Sequence, residues 1–301
     1  MTESKGDEDT QSASLSIRGE VPETILCQHK QGSCASCCGV YNFVNRDSES
    51  HMQRLTERTK RVVNAYPDPK ALLTVKEELI ALEKPDVLFS SIPVCPFAGF
   101  VEEGRVGCLV HPRRHPEKIE LRHLGVYPSA VCEGHFCAPH DWLRPREVRL
   151  AQTVRGLQYG LIVTDAGLLK SLLKLIDEHL GRQWNVKICP LIDAELQNLW
   201  SLIETWPYRD TDPNRFGGFY VTGPDAVERT VPQKTMEQSS QIHPAMSTLF
   251  DALGSQFKSS EEFQLAVRMI EKSIDELART IERGAQDALV VLNSARSSED
   301  Q

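Results

Sequence analysis

A chain of 301 residues with 40% hydrophobic content can bury a substantial core, and its length suits one large domain or two smaller ones. Its formal net charge of -8 argues against a dominant role in nucleic-acid binding, because affinity for phosphate depends on concentrated Lys and Arg. The longest apolar runs are only a few residues long, far below the roughly 18 that a membrane span requires, so we expect no membrane association.

The first segment, 1–22, is predicted to be a disordered acidic tail. It is polar, has more Asp and Glu than Lys and Arg, and lacks the basic start and apolar stretch of a signal peptide. We therefore expect a cytoplasmic protein. In a reducing cytosol, clustered cysteines bind metal or perform redox chemistry more often than they form disulfides.

The next segment, 23–145, is predicted to be a Cys-rich module, and it opens with the run Cys34-Ala-Ser-Cys37-Cys38. Ordinary core packing does not explain three thiols within five residues, since buried cysteines are usually scattered. A two-residue spacer lets Cys34 and Cys37 reach one ion through a tight turn, as in zinc sites. Adjacent side chains on an extended segment point in opposite directions, so Cys38 would serve a second ion or another corner of a cluster.

A helical insertion is predicted after this run. Two helices are expected at 48–65 and 70–82, with Pro67 and Pro69 between them and Pro85 ending the second. Two short strands at 96–101 and 106–110 follow, joined by a turn that contains glycine. That hairpin would bring Cys95 and Cys108 towards one another and supply a pair of metal ligands.

The stretch 105–123 is locally basic, with five Lys and Arg residues and several histidines against Glu117 and Glu120. Two interpretations stay open. The stretch could form a surface for an anionic partner, or its cations could compensate the negative charge of a nearby thiolate centre.

The segment 146–290 is predicted to be a helical domain. Thr164 and Asp165 would cap a helix that ends at Gly181, and Pro190 suits the first turn of the next. Ser259 and Glu262 form a predicted capping box for a further helix, whose apolar spacing fits packing in a bundle or a short coiled coil.

Between these helices lies a long loop near 208–244, read either as a lid or binding loop or as an extension with a short hairpin. The last segment, 291–301, is predicted to be a flexible tail. Together the patterns predict an α+β fold that is mainly α: an irregular Cys-rich metal-binding module with a short hairpin, followed by a C-terminal helical domain.

The candidate metal ligands would fill two four-sulfur sites, of zinc or of an iron-sulfur cluster. Within this set Cys27 is either a ligand or a bystander, whereas Cys189 is expected to be structural. Each of His111, His115 and His135 could replace a thiolate or act as a hydrogen-bonding neighbour. The candidate ligands are Cys27, Cys34, Cys37, Cys38, Cys95, Cys108, Cys132 and Cys137.

A thiol redox site is the alternative chemistry. Cys34-Ala-Ser-Cys37 has dithiol spacing, but the strand-helix context of a thioredoxin-like site is missing and the other cysteines would be unexplained.

Three motifs resemble the YkgJ-type cysteine-cluster family, a zinc- or iron-chelating domain: Cys34-Ala-Ser-Cys-Cys-Gly, Val94-Cys-Pro-Phe, and Gly107-Cys-Leu-Val-His-Pro-Arg-Arg. The resemblance covers about residues 27 to 140. His111 stands where the family commonly has Tyr, and Lys118 where it has a further cysteine. The resemblance implies metal binding. Its distant members are flagellin lysine N-methylases, which implies methyl transfer to protein lysine as one activity.

The sequence therefore predicts a metal-binding protein that coordinates zinc or an iron-sulfur cluster. The alternative is a metalloenzyme, either an iron-sulfur redox protein or a methyltransferase-like modifier of protein lysine. No Gly-x-Gly-x-x-Gly, His-Glu-x-x-His or Gly-x-Ser-x-Gly motif identifies a reaction. Whether the chain is an enzyme, and which protein partner it has, are left open.

Overall fold

The computed structural model describes residues 26–29, 32–45, 47–135, 137–210, 215–216, 219–223, 226–229 and 242–299. These residues are mainly helical, with small antiparallel sheets, which confirms the mainly α class of fold. The acidic tail predicted at 1–22 lies outside them. The described helices are α1 Ser48–Ala65, α2 Pro69–Glu83, α3 Ser129–Gly134, α4 Ala138–Trp142, α5 Pro145–Ala151, α6 Gln158–Thr164, α7 Ala166–His179, α8 Asp193–Glu204, α9 Pro244–Ala252 and α10 Ser260–Glu299.

The predicted helical insertion is confirmed as α1 and α2. Asp47 caps α1 by accepting a hydrogen bond from the backbone N–H of Ser50, and Asp68 caps α2 through the N–H of Lys70. Pro69 opens α2 instead of preceding it, because a proline in the first helical turn has no N–H to lose. The two helices pack against each other, and α1 also packs on the strand that follows them.

The predicted hairpin is confirmed as β3 Ala98–Glu102 and β4 Arg105–Cys108, after the short pair β1 Gln28–His29 and β2 Gly32–Ser33. Its register pairs Ala98 with Cys108, and Gly104 takes a φ of +69° in the turn. Apolar residues next to the hairpin join those of α1 and α2 in one buried cluster: Val62, Ala65, Leu72, Leu79, Phe97, Leu109, Val110 and Leu121.

The helices of the second half share the largest buried cluster, in which α7, α8, α9 and α10 surround one core. Asp165 caps α7 by accepting from the N–H of Leu168, and Gly181, with a φ of +63°, follows its end, as predicted. The next helix starts later than predicted: Pro190 lies in a 3-10 segment, Val186–Ile192, and α8 begins after it.

The start of α10 differs in detail from the predicted capping box. Ser259 Oγ accepts the backbone N–H of Glu262 at 3.2 Å, as expected. The carboxylate of Glu262 instead accepts the N–H of Lys258 at 2.7 Å, one residue before the predicted donor. The helix continues to Glu299, so residues 291–299, predicted as part of a flexible tail, are helical.

Part of the long segment near 208–244 forms a three-stranded antiparallel sheet, β5 Arg215–Phe216, β6 Phe219–Gly223 and β7 Ala226–Arg229. The strands β6 and β7 form a short hairpin, which one of the two interpretations of this segment predicted. The lid or binding-loop reading for 211–214 and 230–241 falls outside the described residues. Among the described helices, none has the length and apolar character needed to cross a membrane.

Candidate metal centre

The first cysteine cluster forms a tight turn that is pressed against the loop before the hairpin. Ser36–Cys38 is one turn of 3-10 helix between Ala35 and Gly39, which both have positive φ, at 52° and 73°. A Cβ on Gly39 would lie 2.5 Å from the carbonyl oxygen of Pro93, so only glycine fits this contact. The Cys95 N–H donates to the Cys38 carbonyl at 2.9 Å, which ties the two cysteine segments together.

Three of the thiols have the same backbone environment. Burial raises the pKa of Cys34, Cys95 and Cys108, and a backbone N–H opposes this increase at each thiol: Ser36 for Cys34, Phe97 for Cys95 and Val110 for Cys108. In each case the donor lies two residues after the cysteine. Hydrogen bonds from backbone N–H groups favour a thiolate over a thiol, and metal-sulfur centres use them to stabilise and tune their sulfurs.

Cys38 belongs to a group of neighbouring thiols that are drawn from four segments. The hydrogen bond to Cys37, burial, and the charges of Cys37, Cys95 and Cys108 all raise the pKa of Cys38. Burial and the charges of Cys95 and Cys132 raise the pKa of Cys108 to about 12. These thiols are near enough to one another for the ionisation of one to disfavour that of the next.

A second group lies next to the first and shares Cys37 with it. Partial burial raises the pKa of Cys27, and the charges of Cys137 and Cys37 raise it further. Burial raises the pKa of Cys34 to about 11 against the hydrogen bonds of Ser36, and the charges of Cys27 and Cys37 add to the increase. Cys27, for which ligand and bystander were both open, is thus a neighbour of Cys37 and Cys137.

Cys37 is the exposed thiol at which the two groups meet. The hydrogen bond from the neighbouring Cys38 lowers the pKa of Cys37 to about 6, although burial opposes this, and the charge of His135 adds to the decrease. His135 is therefore the one predicted histidine that lies beside a candidate ligand. Within the vicinal pair, this hydrogen bond favours the thiolate of Cys37 and the neutral thiol of Cys38.

The other two candidate histidines have different roles. His111 Nδ1 accepts the backbone N–H of Arg113 at 3.1 Å and caps a short 3-10 turn. His115 stacks on Tyr66 with ring centroids 3.6 Å apart, and its Nε2 lies 2.7 Å from the Leu109 carbonyl oxygen. Both contacts agree with the interpretation that His111 and His115 are hydrogen-bonding neighbours.

Cations lie behind the buried thiols. Arg58 and Lys76, from α1 and α2, both act on Cys95, where burial raises the thiol pKa and these charges oppose the increase. Arg122, from the basic stretch, acts in the same way on Cys108 and is itself paired with Glu120 at 2.5 Å. Arg122 thus lies near candidate ligands, whereas Arg113 of the same stretch is exposed.

Sequence reasoning missed Tyr127 as a neighbour of the first group. Burial and the charges of Cys38, Cys95, Cys37 and Cys132 raise its pKa, so its ring lies beside four candidate ligands. Nothing in the surrounding Val-Tyr-Pro sequence distinguishes it from an ordinary loop aromatic.

Cys189 lies apart from these groups. It is 2% exposed, belongs to the large helical core, and burial raises its pKa to about 12, in keeping with its predicted structural role.

As the side chains are placed, no three His, Cys, Asp or Glu residues of the described chain converge as the ligands of one metal ion. All nine cysteines are free thiols. Comparison of the chain with models of known protein families, with curated proteins and with solved structures gives no match.

Proposed function

We propose that the chain is a metal-binding protein that holds zinc or an iron-sulfur cluster through its clustered cysteines. The observation that carries the proposal is the contact between the cysteine segments: the Cys95 N–H donates to the Cys38 carbonyl at 2.9 Å, and the hairpin pairs Ala98, three residues after Cys95, with Cys108. Cys95 and Cys108 come from separate segments and each affects the ionisation of Cys38, and Cys34 is a neighbour of Cys27 and Cys37 in the second group.

The donor set fits two four-thiolate sites. One would use Cys38, Cys95, Cys108 and Cys132, in which the charge of Cys95 raises the pKa of each of the other three thiols. The other would use the second group of neighbours, Cys27, Cys34, Cys37 and Cys137. Four thiolates suit zinc or iron-sulfur clusters and disfavour the hard cations, which prefer oxygen.

Binding requires the cysteine side chains to rotate so that their sulfurs converge. The exposed Cys37, Cys132 and Cys27 can change rotamer at little cost, whereas the more buried Cys95 and Cys108 are already held by backbone donors. The buried thiols would thus be in place before the metal binds. The exposed thiols would then move to complete its coordination. Metal binding would then also stabilise the loops that carry them.

Anaerobic purification, elemental analysis and a visible spectrum test the proposal. Zinc is colourless and redox-silent, whereas an iron-sulfur cluster absorbs visible light and bleaches on reduction, which also tests the redox alternative. We expect Cys37→Ser and Cys108→Ser to lose metal and Cys189→Ser, which removes a buried thiol elsewhere, to retain it. Metal retention by both site variants, or a wild type that binds neither zinc nor iron after anaerobic reconstitution, would overturn the proposal.

A further inference from the structure

The sulfur of Cys95 is held between two loops, and each loop is anchored by a cation from the helical insertion. One loop is the segment 95–98 that carries the thiol itself, and the other is the segment 124–126, which passes beside the sulfur at Gly125. Arg58 anchors the loop with Phe97, since its guanidinium donates to the carbonyl oxygens of Cys95 at 3.3 Å and Ala98 at 3.5 Å.

Lys76 anchors the second loop. Its ammonium group donates to the carbonyl oxygens of Leu124 at 3.0 Å and Gly125 at 2.8 Å, immediately before Val126. The loop passes close to the thiol, because a Cβ on Gly125 would lie 3.5 Å from Cys95 Sγ. Lys76 thus fixes the segment that passes beside the sulfur.

The two cations differ in how their charge is balanced. Arg58 forms a two-pronged ion pair with Glu83, with both N to O distances at 2.6 Å. Within the described residues, Lys76 has the two carbonyl partners and no carboxylate at ion-pair distance. A four-thiolate site around a divalent metal carries a net charge of about -2, which a nearby unbalanced cation stabilises.

We propose that Lys76 is a positioning residue of the metal centre, which holds the 124–126 loop against Cys95 and supplies the positive charge that offsets its thiolates. This inference rests on the proposed function. Residues behind the ligands of a metal site commonly change metal affinity by about 10- to 100-fold when they are replaced. We therefore expect Lys76 to matter although it touches no metal.

Co²⁺ titration of the reduced, metal-free full-length protein tests the inference, with the thiolate-to-cobalt absorption as the signal and a competing chelator to set the affinity. Lys76→Gln should bind Co²⁺ at least about tenfold more weakly than the wild type. Lys76→Arg keeps the charge and the donors and should restore binding to within about threefold of wild type. Lys70→Gln removes the same charge from an exposed position of α2 and should bind like the wild type.

Wild-type affinity in Lys76→Gln, or equally weak binding by Lys76→Arg, would overturn the role of Lys76 and leave the proposed function standing. A wild type without a thiolate-to-cobalt band would instead overturn the proposed function itself.

Discussion

Arg58 is the charged side chain on which three segments meet. It is 1% exposed, and it joins α1 to the end of α2 through Glu83 and to the cysteine loop through the Cys95 carbonyl. It also lies near the Phe43 ring, with its guanidinium carbon 5.6 Å from the centroid. A buried charge is tolerated only when its partners are complete, so each of these contacts depends on the others.

We expect Arg58→Met to destabilise the protein by about 3 to 5 kcal/mol, because it leaves the Glu83 carboxylate buried without a cation. Urea unfolding of the metal-free protein measures the change. The double variant Arg58→Met with Glu83→Gln should lose less than the single variant, since no buried charge is stranded. Arg61→Met, which removes an exposed ion pair with Glu57 on the same helix, should change stability little. Equal stability of the Arg58 and Arg61 variants would contradict this account.

At the scale of elements, α6 lies directly against the first cysteine turn. The Ser36 hydroxyl donates to the Gly160 carbonyl at 3.2 Å, and the Tyr41 hydroxyl donates to the Leu157 carbonyl at 2.6 Å. A Cβ on Gly160 would lie 2.5 Å from the Cys34 carbonyl oxygen and would also overlap Tyr41. The close approach of the helix to the turn therefore requires glycine at this position.

Gly160→Ala should destabilise the protein by about 1 to 3 kcal/mol, the usual cost of forcing an extra methyl group into a filled site. It should also weaken metal binding, because the displaced turn carries Cys34. Gly284→Ala is the matched control: it lies in α10, and its new Cβ would meet no atom within 4 Å. Since alanine favours a helix interior over glycine, that control should be neutral or stabilising. Urea unfolding of both variants measures the change in stability. An unchanged stability of Gly160→Ala would contradict the close contact between Gly160 and the Cys34 carbonyl.

The cap of α7 makes stability depend on pH. Asp165 accepts the Leu168 N–H at 3.0 Å, and burial raises the pKa of this carboxyl against its backbone hydrogen bonds. A raised pKa means that the folded state holds the proton more tightly than the unfolded state. The carboxyl therefore contributes most at pH below its unfolded pKa, and this contribution is lost as the pH rises through the folded pKa.

Asp165→Asn keeps a good N-cap without the charge, so at pH 7 it should be at least as stable as the wild type. Its advantage should shrink as the pH falls towards 4. Asp165→Ala removes the cap and should cost about 1 kcal/mol at pH 4 and less at pH 7, where the wild type also carries the cost of burying the charged carboxylate. Urea unfolding at pH 7 and pH 4 measures all three proteins, and an advantage of Asp165→Asn that grows on acidification would contradict the burial argument.

Local signals predicted most of these elements. Asp165 and Gly181 mark the ends of α7 within the chain itself, and the glycine turn between two apolar runs identifies the hairpin at Cys95 and Cys108. Arg58 and Lys76 could not be predicted as neighbours of Cys95. In the sequence pattern both have the positions of ordinary surface charges on amphipathic helices. Their function depends on which loop crosses the helix, and only tertiary packing decides that.

Across the whole molecule, the cysteines lie where three buried clusters meet. Cys34 belongs to the large helical cluster, while its neighbour Ala35 belongs to a small cluster with Leu55 of α1. Cys95 and Cys108 pack against the cluster of α1, α2 and the hairpin. The division predicted near residue 145 stays a prediction. A metal at this junction would link the clusters through bonds that packing alone does not supply.

Removal of the metal should therefore loosen the junction more than the cores. We expect chelation to increase amide hydrogen exchange in the segments that carry the cysteines, 32–45, 93–110 and 125–142. The helices α7 and α8 should change little, because Cys34 is the one candidate ligand among the described residues of the large cluster that buries them. Exchange measured by mass spectrometry on the holoprotein and the chelated protein resolves these segments, and Cys189→Ser treated in the same way is the control. An equal increase over the whole chain would show that the metal is needed for the entire fold, and no increase would show that the metal does not link the clusters.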